Sequence, residues 1–166
     1  MRFIHASDLH IDSPLRGLDR YDGAPVERLR SATRSALGRL VDKALAERVD
    51  FLLLAGDIYD RDWQDFHTGL FFRGQMVRLE RAGIRCFIVQ GNHDAQGVIS
   101  RQLTLPSNVT VFSSRAAQTI RLVDLSVAIH GRSFPEREVN EDLVPSYPPP
   151  VPGCFNIGLL HTSLTG

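Results

Sequence analysis

Residues that can bind divalent ions or transfer protons occur in four short stretches of the sequence. These stretches contain Asp8, His10, Asp57, Asp60, Arg61, Asn92, His93, Asp94 and His161. Carboxylate, imidazole and amide oxygen ligands in combination suit divalent manganese, iron or zinc better than calcium or a thiolate-bound structural zinc. The carboxylate of Asp57 has two oxygens and can bridge two ions held about 3.5 to 4 Å apart. The residue types therefore predict a centre for two divalent ions.

The spacing of these residues indicates how the ions would be shared. Asp8 and His10 alternate along the chain. Both side chains therefore face one side if the segment leaves a strand extended, and together they can bind one ion. Asn92 and His161 supply neutral ligands for the second ion.

Through the first half of the chain, apolar segments with strand preference alternate with stretches of helical period. We expect strands at residues 2–8, Asp50–Asp57 and Ile84–Gln90, and helices at Val26–Arg48 and Phe66–Ala82. Strands joined by crossover helices pair in parallel, and open α/β sheets bind ligands at the carboxyl ends of their strands. The polar stretches should therefore converge at one edge of the sheet.

After Gly91 the pattern changes to short strands, which indicates a second sheet that is antiparallel or mixed. The expected strands are Val109–Phe112, Thr119–Leu122, Ser126–His130 and Phe155–Leu160, the second and third forming a hairpin through Val123–Leu125. The last strand leads directly to His161. Between these strands, Pro135–Pro152 is expected to be a surface connection with one or two helical turns near Glu138–Val144.

The composition favours one soluble domain without indicating its partners. The chain has 166 residues, 43% of them hydrophobic, and 19 acidic residues balance 19 basic ones. No excess of charge indicates a nucleic acid or a membrane surface. Cys86 and Cys154 lie in apolar contexts that suit reduced core residues, and neither a leader nor a membrane-spanning segment is evident. We expect a cytoplasmic protein.

Several common kinds of catalytic motif are absent from the sequence. It contains no glycine-rich phosphate loop, no nucleophile elbow and no Cys-x-x-Cys element. Enzymes driven by nucleotide hydrolysis, serine hydrolases and thiol oxidoreductases are therefore excluded, and metal-assisted hydrolysis remains.

Four ordered motifs give the chain a family resemblance. They are Asp8-Leu9-His10, Gly56-Asp57-Ile58-Tyr59-Asp60-Arg61, Gly91-Asn92-His93-Asp94 and Leu160-His161. Together they resemble the calcineurin-like metallophosphoesterases, and the local wording SDLHID, GDIYDR, GNHD and IHGRSFPE is similar to that of bacterial SbcD-like DNA-repair exonucleases. The resemblance implies an α/β fold with a four-layer α/β/β/α sandwich and mixed sheets, formed as a single core by residues 1–166.

The resemblance also implies two ions, with manganese expected and iron or zinc as alternatives. The first ion would be bound by Asp8, His10 and Asp57, and the second by Asp57, Asn92 and His161. Such a pair activates a water molecule for in-line attack on a phosphate ester.

Three further residues receive catalytic roles from the same resemblance. His93 would protonate or stabilise the leaving oxygen, Asp60 would orient His93, and Arg61 would contact the phosphate. The implied activity is phosphodiester hydrolysis in DNA repair. DNA would be the substrate, and a coiled-coil ATPase and a second copy of the protein would be the partners.

The sequence departs from the family pattern in two places. The family ends its metal site with a Gly-His-x-His segment that is lacking here, so the chain is expected to be the N-terminal part of a catalytic domain. In phosphoprotein phosphatases a glycine usually follows the arginine of the second motif, whereas here Asp62 follows Arg61. This difference favours a nuclease. A phosphoprotein or small-molecule phosphatase and a metal-poor, non-catalytic partner-binding module remain as alternatives.

Other polar residues near the motifs have less specific interpretations. His5 is expected to pack within the first strand, and His67 to lie at a helix start. His130 is expected to have a structural role or to contact substrate. Asp94 either supports the His93 loop or contacts substrate. Gly56 and Gly91 would allow the backbone to approach the ions closely.

Overall fold

The computed structural model describes residues 1–13, 25, 28–29, 31–60, 66–94, 103–136, 139 and 141–162. Every structural statement below concerns these residues.

A parallel four-stranded sheet carries most of the candidate site. Its strands are β1 (Phe3–Ala6), β2 (Phe51–Ala55), β3 (Arg85–Val89) and β4 (Val109–Val111), and they lie side by side in that order. All three strand pairs are parallel, as the crossover pattern predicts. Every residue of β2 is buried, because its continuous apolar sequence lies at the centre of the sheet with both faces covered.

Two helices of sixteen residues each cover one face of this sheet, α1 (Ala32–Glu47) and α2 (Phe66–Arg81). The apolar stripe of α1 buries Leu37, Val41 and Ala44, which recur at helical spacing. The helix predicted at Val26–Arg48 is interrupted, since Arg28 and Leu29 are helical but Ser31 is a turn residue. The helix predicted at Phe66–Ala82 is confirmed to within one residue.

A second, three-stranded sheet packs against the other face of the first. It contains β5 (Gln118–Leu122), β6 (Val127–Gly131) and β7 (Phe155–Leu159), in that order. The β5–β6 pair is the predicted hairpin through Val123–Leu125, whereas β6 and β7 are parallel, so the sheet is mixed. Side chains of both sheets form a common apolar layer, which includes Phe51, Leu53, Phe87, Phe112, Ile129 and Leu159.

These elements confirm the predicted α/β sandwich with parallel and mixed sheets. Among the described residues a helical layer and two sheets are present, and no helix covers the outer face of the second sheet. The helical turn expected near Glu138–Val144 is instead a 3-10 turn at Val144–Ser146, whose first backbone N–H donates to Asp142. None of the described helices has the length and apolar character that a membrane span requires.

Candidate metal centre

The candidate residues follow four strands at their carboxyl ends. Asp8 and His10 come after β1, and Asp57 comes after β2. Asn92 follows β3, and His161 follows β7 of the second sheet. Because parallel strands end at the same edge, the loops that carry these residues meet there.

Asp57 lies at the centre of this group, and its carboxylate is called the central carboxylate below. Asp57 is only 5% exposed. Its Oδ2 lies 3.8 Å from His10 Nε2 and 3.6 Å from His161 Nε2. Asp8, Asp57 and His161 each offer a ligand atom within 4.8 Å of the other two. Two carboxylates and an imidazole thus face one small volume.

The loop that carries Asp8 and His10 is not extended, so the geometric basis of the sequence prediction is wrong. Asp8 has a φ of 54° and His10 a φ of 40°, both in the left-handed region. The loop turns because it is hydrogen-bonded to the loop after β2, through Asp8 N–H to Gly56 O at 3.1 Å and His10 N–H to Asp57 O at 3.0 Å. The shared binding of one ion by Asp8 and His10 stays a prediction.

His161 is oriented by groups that leave one of its nitrogens available. Its Nδ1 lies 2.9 Å from Ala55 O, and its ring packs edge-on against Phe134 at a centroid distance of 5.7 Å. The carbonyl requires a proton on Nδ1, so the lone pair is on Nε2, which lies 3.3 Å from Asn92 Oδ1. Histidines that ligate metals usually donate their other ring N–H in this way.

Two glycines allow the close approach of these side chains. Gly56 has a φ of 79°, and a Cβ placed there would overlap the ring of His161. A Cβ on Gly91 would overlap the carboxylate and backbone nitrogen of Asp57. The two motif glycines thus leave room for the central carboxylate and the imidazole beside it, which is the role expected from the sequence.

The residues present fit the divalent ions that the sequence pattern implies. Oxygen donors from Asp8, Asp57 and Asn92 lie near the free Nε2 of His161. This mixture of carboxylate, amide and imidazole donors suits manganese, iron or zinc.

A second group of titratable residues lies beside the first and contains His10, Asp60 and His93. His93 Nδ1 is 3.0 Å from Asp60 Oδ1, and His10 Nδ1 is 3.9 Å from the same atom. Both Nδ1 atoms are buried without an aligned hydrogen-bond partner among the described residues. His93 and Asp60 are thus within reach of each other, as the proposed orienting role requires, although the contact is not aligned as a hydrogen bond.

Ser13 is a member of this group that the sequence analysis missed. Its hydroxyl donates to Asp60 Oδ2 at 2.5 Å. Burial raises the pKa of Asp60, but the Ser13 hydrogen bond and the imidazoles of His10 and His93 lower it, and the pKa lies below its ordinary value. No spacing rule indicates this contact, because the two residues are 47 positions apart.

Asp94 supports the loops and lies away from solvent. It is 2% exposed and accepts hydrogen bonds from the backbone N–H groups of Ile58, Tyr59 and Gly91 at 3.0 to 3.1 Å. Burial raises the pKa of Asp94, and the charge of Asp57 adds to this rise, whereas the three N–H groups oppose it. Of the two roles considered for Asp94, these contacts favour support of the His93 loop.

The remaining candidates lie apart from the central group. His130 is buried and contacts Thr119 Oγ1 at 2.8 Å and Asn156 Oδ1 at 2.9 Å, which indicates a structural role. His5 is exposed, contrary to expectation, because β1 is an edge strand. His67 lies in the first turn of α2, as expected. Arg61 lies outside the described residues.

The two cysteines have different surroundings, and neither forms a disulfide. Cys86 is fully buried in β3, and burial raises the pKa of its thiol. Cys154 is only partly buried. The prediction that both are reduced core residues thus holds fully for Cys86.

Comparison with known proteins agrees with the motifs and the fold. The sequence profile of calcineurin-like phosphoesterases matches residues 1–149. Over 169 aligned positions and its whole length, the chain is 33% identical to YhaO, an uncharacterized metallophosphoesterase of Bacillus subtilis, and it covers 41% of that protein. Over 117 positions it is 28% identical to one component of the Escherichia coli nuclease SbcCD, which is 69% of this chain and 27% of that protein.

A structural neighbour is a dimetal phosphatase from Danio rerio, with 16% identity and a TM-score of 0.48; the match covers 84% of this chain and 48% of the neighbour. The chain thus spans less than half the length of each of these relatives. Since the family profile covers most of the sequence and the relative from Bacillus subtilis aligns with all of it, the chain belongs to the calcineurin-like phosphoesterases.

Proposed function

We propose that this chain is the catalytic core of a two-ion phosphodiesterase that cleaves DNA. Phosphoester hydrolysis and the binding of divalent ions follow from the family. One observation carries the rest: ligand groups from four strand ends surround the buried central carboxylate of Asp57. A buried carboxylate with so many donor groups beside it is costly to the fold unless cations balance its charge.

The proposed ligands are those of the sequence analysis. Asp8, His10 and Asp57 would hold one ion, and Asp57, Asn92 and His161 the other. When bound, divalent ions supply an activated water and positive charge beside the phosphate oxygens. The chain itself fixes the central carboxylate, because the backbone N–H of His93 donates to Asp57 Oδ1 at 3.1 Å and leaves Oδ2 facing His10 and His161.

We assign the proton donor to His93. Its side chain is 25% exposed, so one edge of the ring faces the open side of the site while Nδ1 faces Asp60. Asp60 stays ionised because its pKa is lowered, and its charge favours the protonated imidazole that a general acid needs. Arg61 is proposed as a phosphate contact from its sequence position alone.

DNA is the proposed substrate for two reasons. One relative, at 28% identity, is part of a nuclease. The residue after Arg61 is Asp62, where phosphoprotein phosphatases usually have glycine. Association with a coiled-coil ATPase and dimerisation are proposed only by this likeness.

The decisive experiment compares substrates and metal states in the complete protein. Linear DNA, nicked DNA, a bis-aryl phosphodiester and an aryl phosphomonoester are incubated with manganese or with a chelator. We expect hydrolysis of DNA and of the diester, and its loss in chelator. Preferential hydrolysis of the monoester would favour a phosphatase, and full activity after metal removal would exclude the two-ion mechanism. Absence of both activity and bound manganese would indicate a non-catalytic module.

Three variants test the assigned roles within the same assay. His93→Ala should keep manganese bound and lower turnover by roughly a hundredfold or more, as expected for a proton donor. Asp57→Asn should lower manganese binding and turnover together. His5→Ala, which changes an exposed histidine of β1, serves as the control. Loss of bound manganese in His93→Ala would contradict its role as a proton donor.

A further inference from the structure

The loop after β1 has an unusual backbone that its own sequence does not explain. Asp8, His10 and Asp12 have φ values of 54°, 40° and 59°, so three non-glycine residues within five positions are left-handed. Such conformations are uncommon, and they persist only where surrounding contacts fix them. The loop carries two proposed ion ligands, so the contacts that fix it also set where those ligands lie.

Asp12 connects this loop to α1. The Nε of Arg34 donates to Asp12 Oδ1 at 2.7 Å and to Oδ2 at 2.9 Å, and Arg34 Nη2 donates to Oδ2 at 2.5 Å. The backbone N–H of Asp12 donates to Thr33 Oγ1 at 3.1 Å. Both partners lie in the first turn of α1, so the backbone and the side chain of Asp12 contact the same helix end.

The same carboxylate also connects the loop to α2. Thr68 Oγ1 donates to Asp12 Oδ2 at 2.5 Å, and Thr68 is fully buried in the first turn of α2. The guanidinium of Arg34 lies 5.1 Å from the ring centroid of Phe71, also in α2. Charge-assisted hydrogen bonds of this kind, made by a side chain that is only 10% exposed, fix geometry strongly.

We propose that Asp12 is a positioning residue for Asp8 and His10. It holds the loop against both helices in the left-handed conformation that directs these two ligands toward the central carboxylate. This inference rests on the proposed function. Asp12 does not act as an ion ligand itself, because the guanidinium of Arg34 contacts both of its oxygens and repels a cation.

The test separates ligand positioning from a general loss of stability. Asp12→Asn keeps the shape of the side chain but removes the charge that binds Arg34. In the complete protein, manganese affinity is measured by calorimetry, kcat is measured at saturating manganese, and the unfolding midpoint is measured without ions. We expect manganese affinity to fall about tenfold or more, as for other groups that support metal ligands, with a smaller loss of kcat once manganese saturates.

A conservative pair and a control complete the design. Thr68→Val removes the hydroxyl that donates to Asp12 and should weaken manganese binding, whereas Thr68→Ser keeps the hydroxyl and should restore it. Asp42→Asn changes an exposed carboxylate of α1 that pairs with Arg78, and it should leave manganese affinity unchanged.

Two results would overturn the inference. One is wild-type manganese affinity in Asp12→Asn, even with a lowered unfolding midpoint, because the residue would then have only a structural role. The other is equal manganese affinity in Thr68→Val and Thr68→Ser, which decides the question if Asp12→Asn does not fold. If the unmodified protein binds no manganese, the proposed function fails first, and that result is distinct from either of these.

Discussion

The buried carboxylate of Asp94 should contribute more to stability than any exposed carboxylate of the chain. It accepts hydrogen bonds from Ile58 and Tyr59 in the loop after β2, and from Gly91 in the loop after β3. Replacement by alanine leaves three buried N–H donors without their acceptor. Each such donor costs about 1 to 3 kcal/mol, and water that enters the space would recover part of this. We therefore expect Asp94→Ala to lower the free energy of unfolding by at least about 3 kcal/mol.

Asparagine at this position should have an intermediate effect. Asp94 Oδ2 accepts from Ile58 and Gly91, whereas Oδ1 accepts from Tyr59 alone. An amide whose oxygen replaces Oδ2 keeps two bonds and turns its NH2 toward the N–H of Tyr59. The expected loss is one hydrogen bond at a buried donor, or about 1 to 3 kcal/mol.

Urea unfolding in the presence of chelator measures these differences, because bound ions would otherwise add their own stabilisation. Asp124→Asn, at an exposed carboxylate paired with Arg85, is the control and should change stability little. The order of stability should be wild type, then Asp94→Asn, then Asp94→Ala. A fall of less than about 1 kcal/mol in Asp94→Ala would refute the reasoning, since the three donors would then have other acceptors.

Three further predictions concern single contacts of the site. Gly91→Ala should abolish manganese binding measured by calorimetry, because its Cβ would displace the central carboxylate, whereas Gly74→Ala, in open space on α2, should raise the free energy of unfolding by about 0.5 to 1 kcal/mol. Ser13→Ala should move acid unfolding, followed by circular dichroism, to higher pH. A carboxyl with a lowered folded pKa loses its stabilisation as the pH falls through that pKa, and Asp60 without the Ser13 hydroxyl reaches this point sooner; an unchanged acid limb would contradict it. Tyr59→Phe should leave the urea midpoint unchanged or higher, because the buried hydroxyl has no hydrogen-bond partner among the described residues; a lower midpoint would indicate a bridging water.

The fold could be predicted where the sequence pattern determines burial. The unbroken apolar run of β2 requires cover on both faces, and the stripe of α1 requires a surface to pack on. These two requirements lead to a parallel sheet with helices on one face. The same topology explains why residues after different strands could be predicted to converge, since parallel strands end at the same edge.

Contacts between loops could not be predicted, because they depend on the path of the chain in three dimensions. Ser13 reaches Asp60 and Asp12 reaches Thr68 only because the loop after β1 turns through left-handed residues. The exposure of His5 likewise depends on the place of β1 at the edge of the sheet, which its own four residues do not reveal.

The position of His161 has a consequence for the order of folding. It comes from β7 of the second sheet, yet it contacts Ala55 of the first sheet, 106 residues earlier in the chain. A contact of such long sequence separation forms late, because a long loop must close before any interaction compensates for the lost chain entropy. The first sheet and its helices can therefore assemble before the ligand set is complete. Ion capture with full affinity would then report the docking of the second sheet, and its rate would measure that step directly.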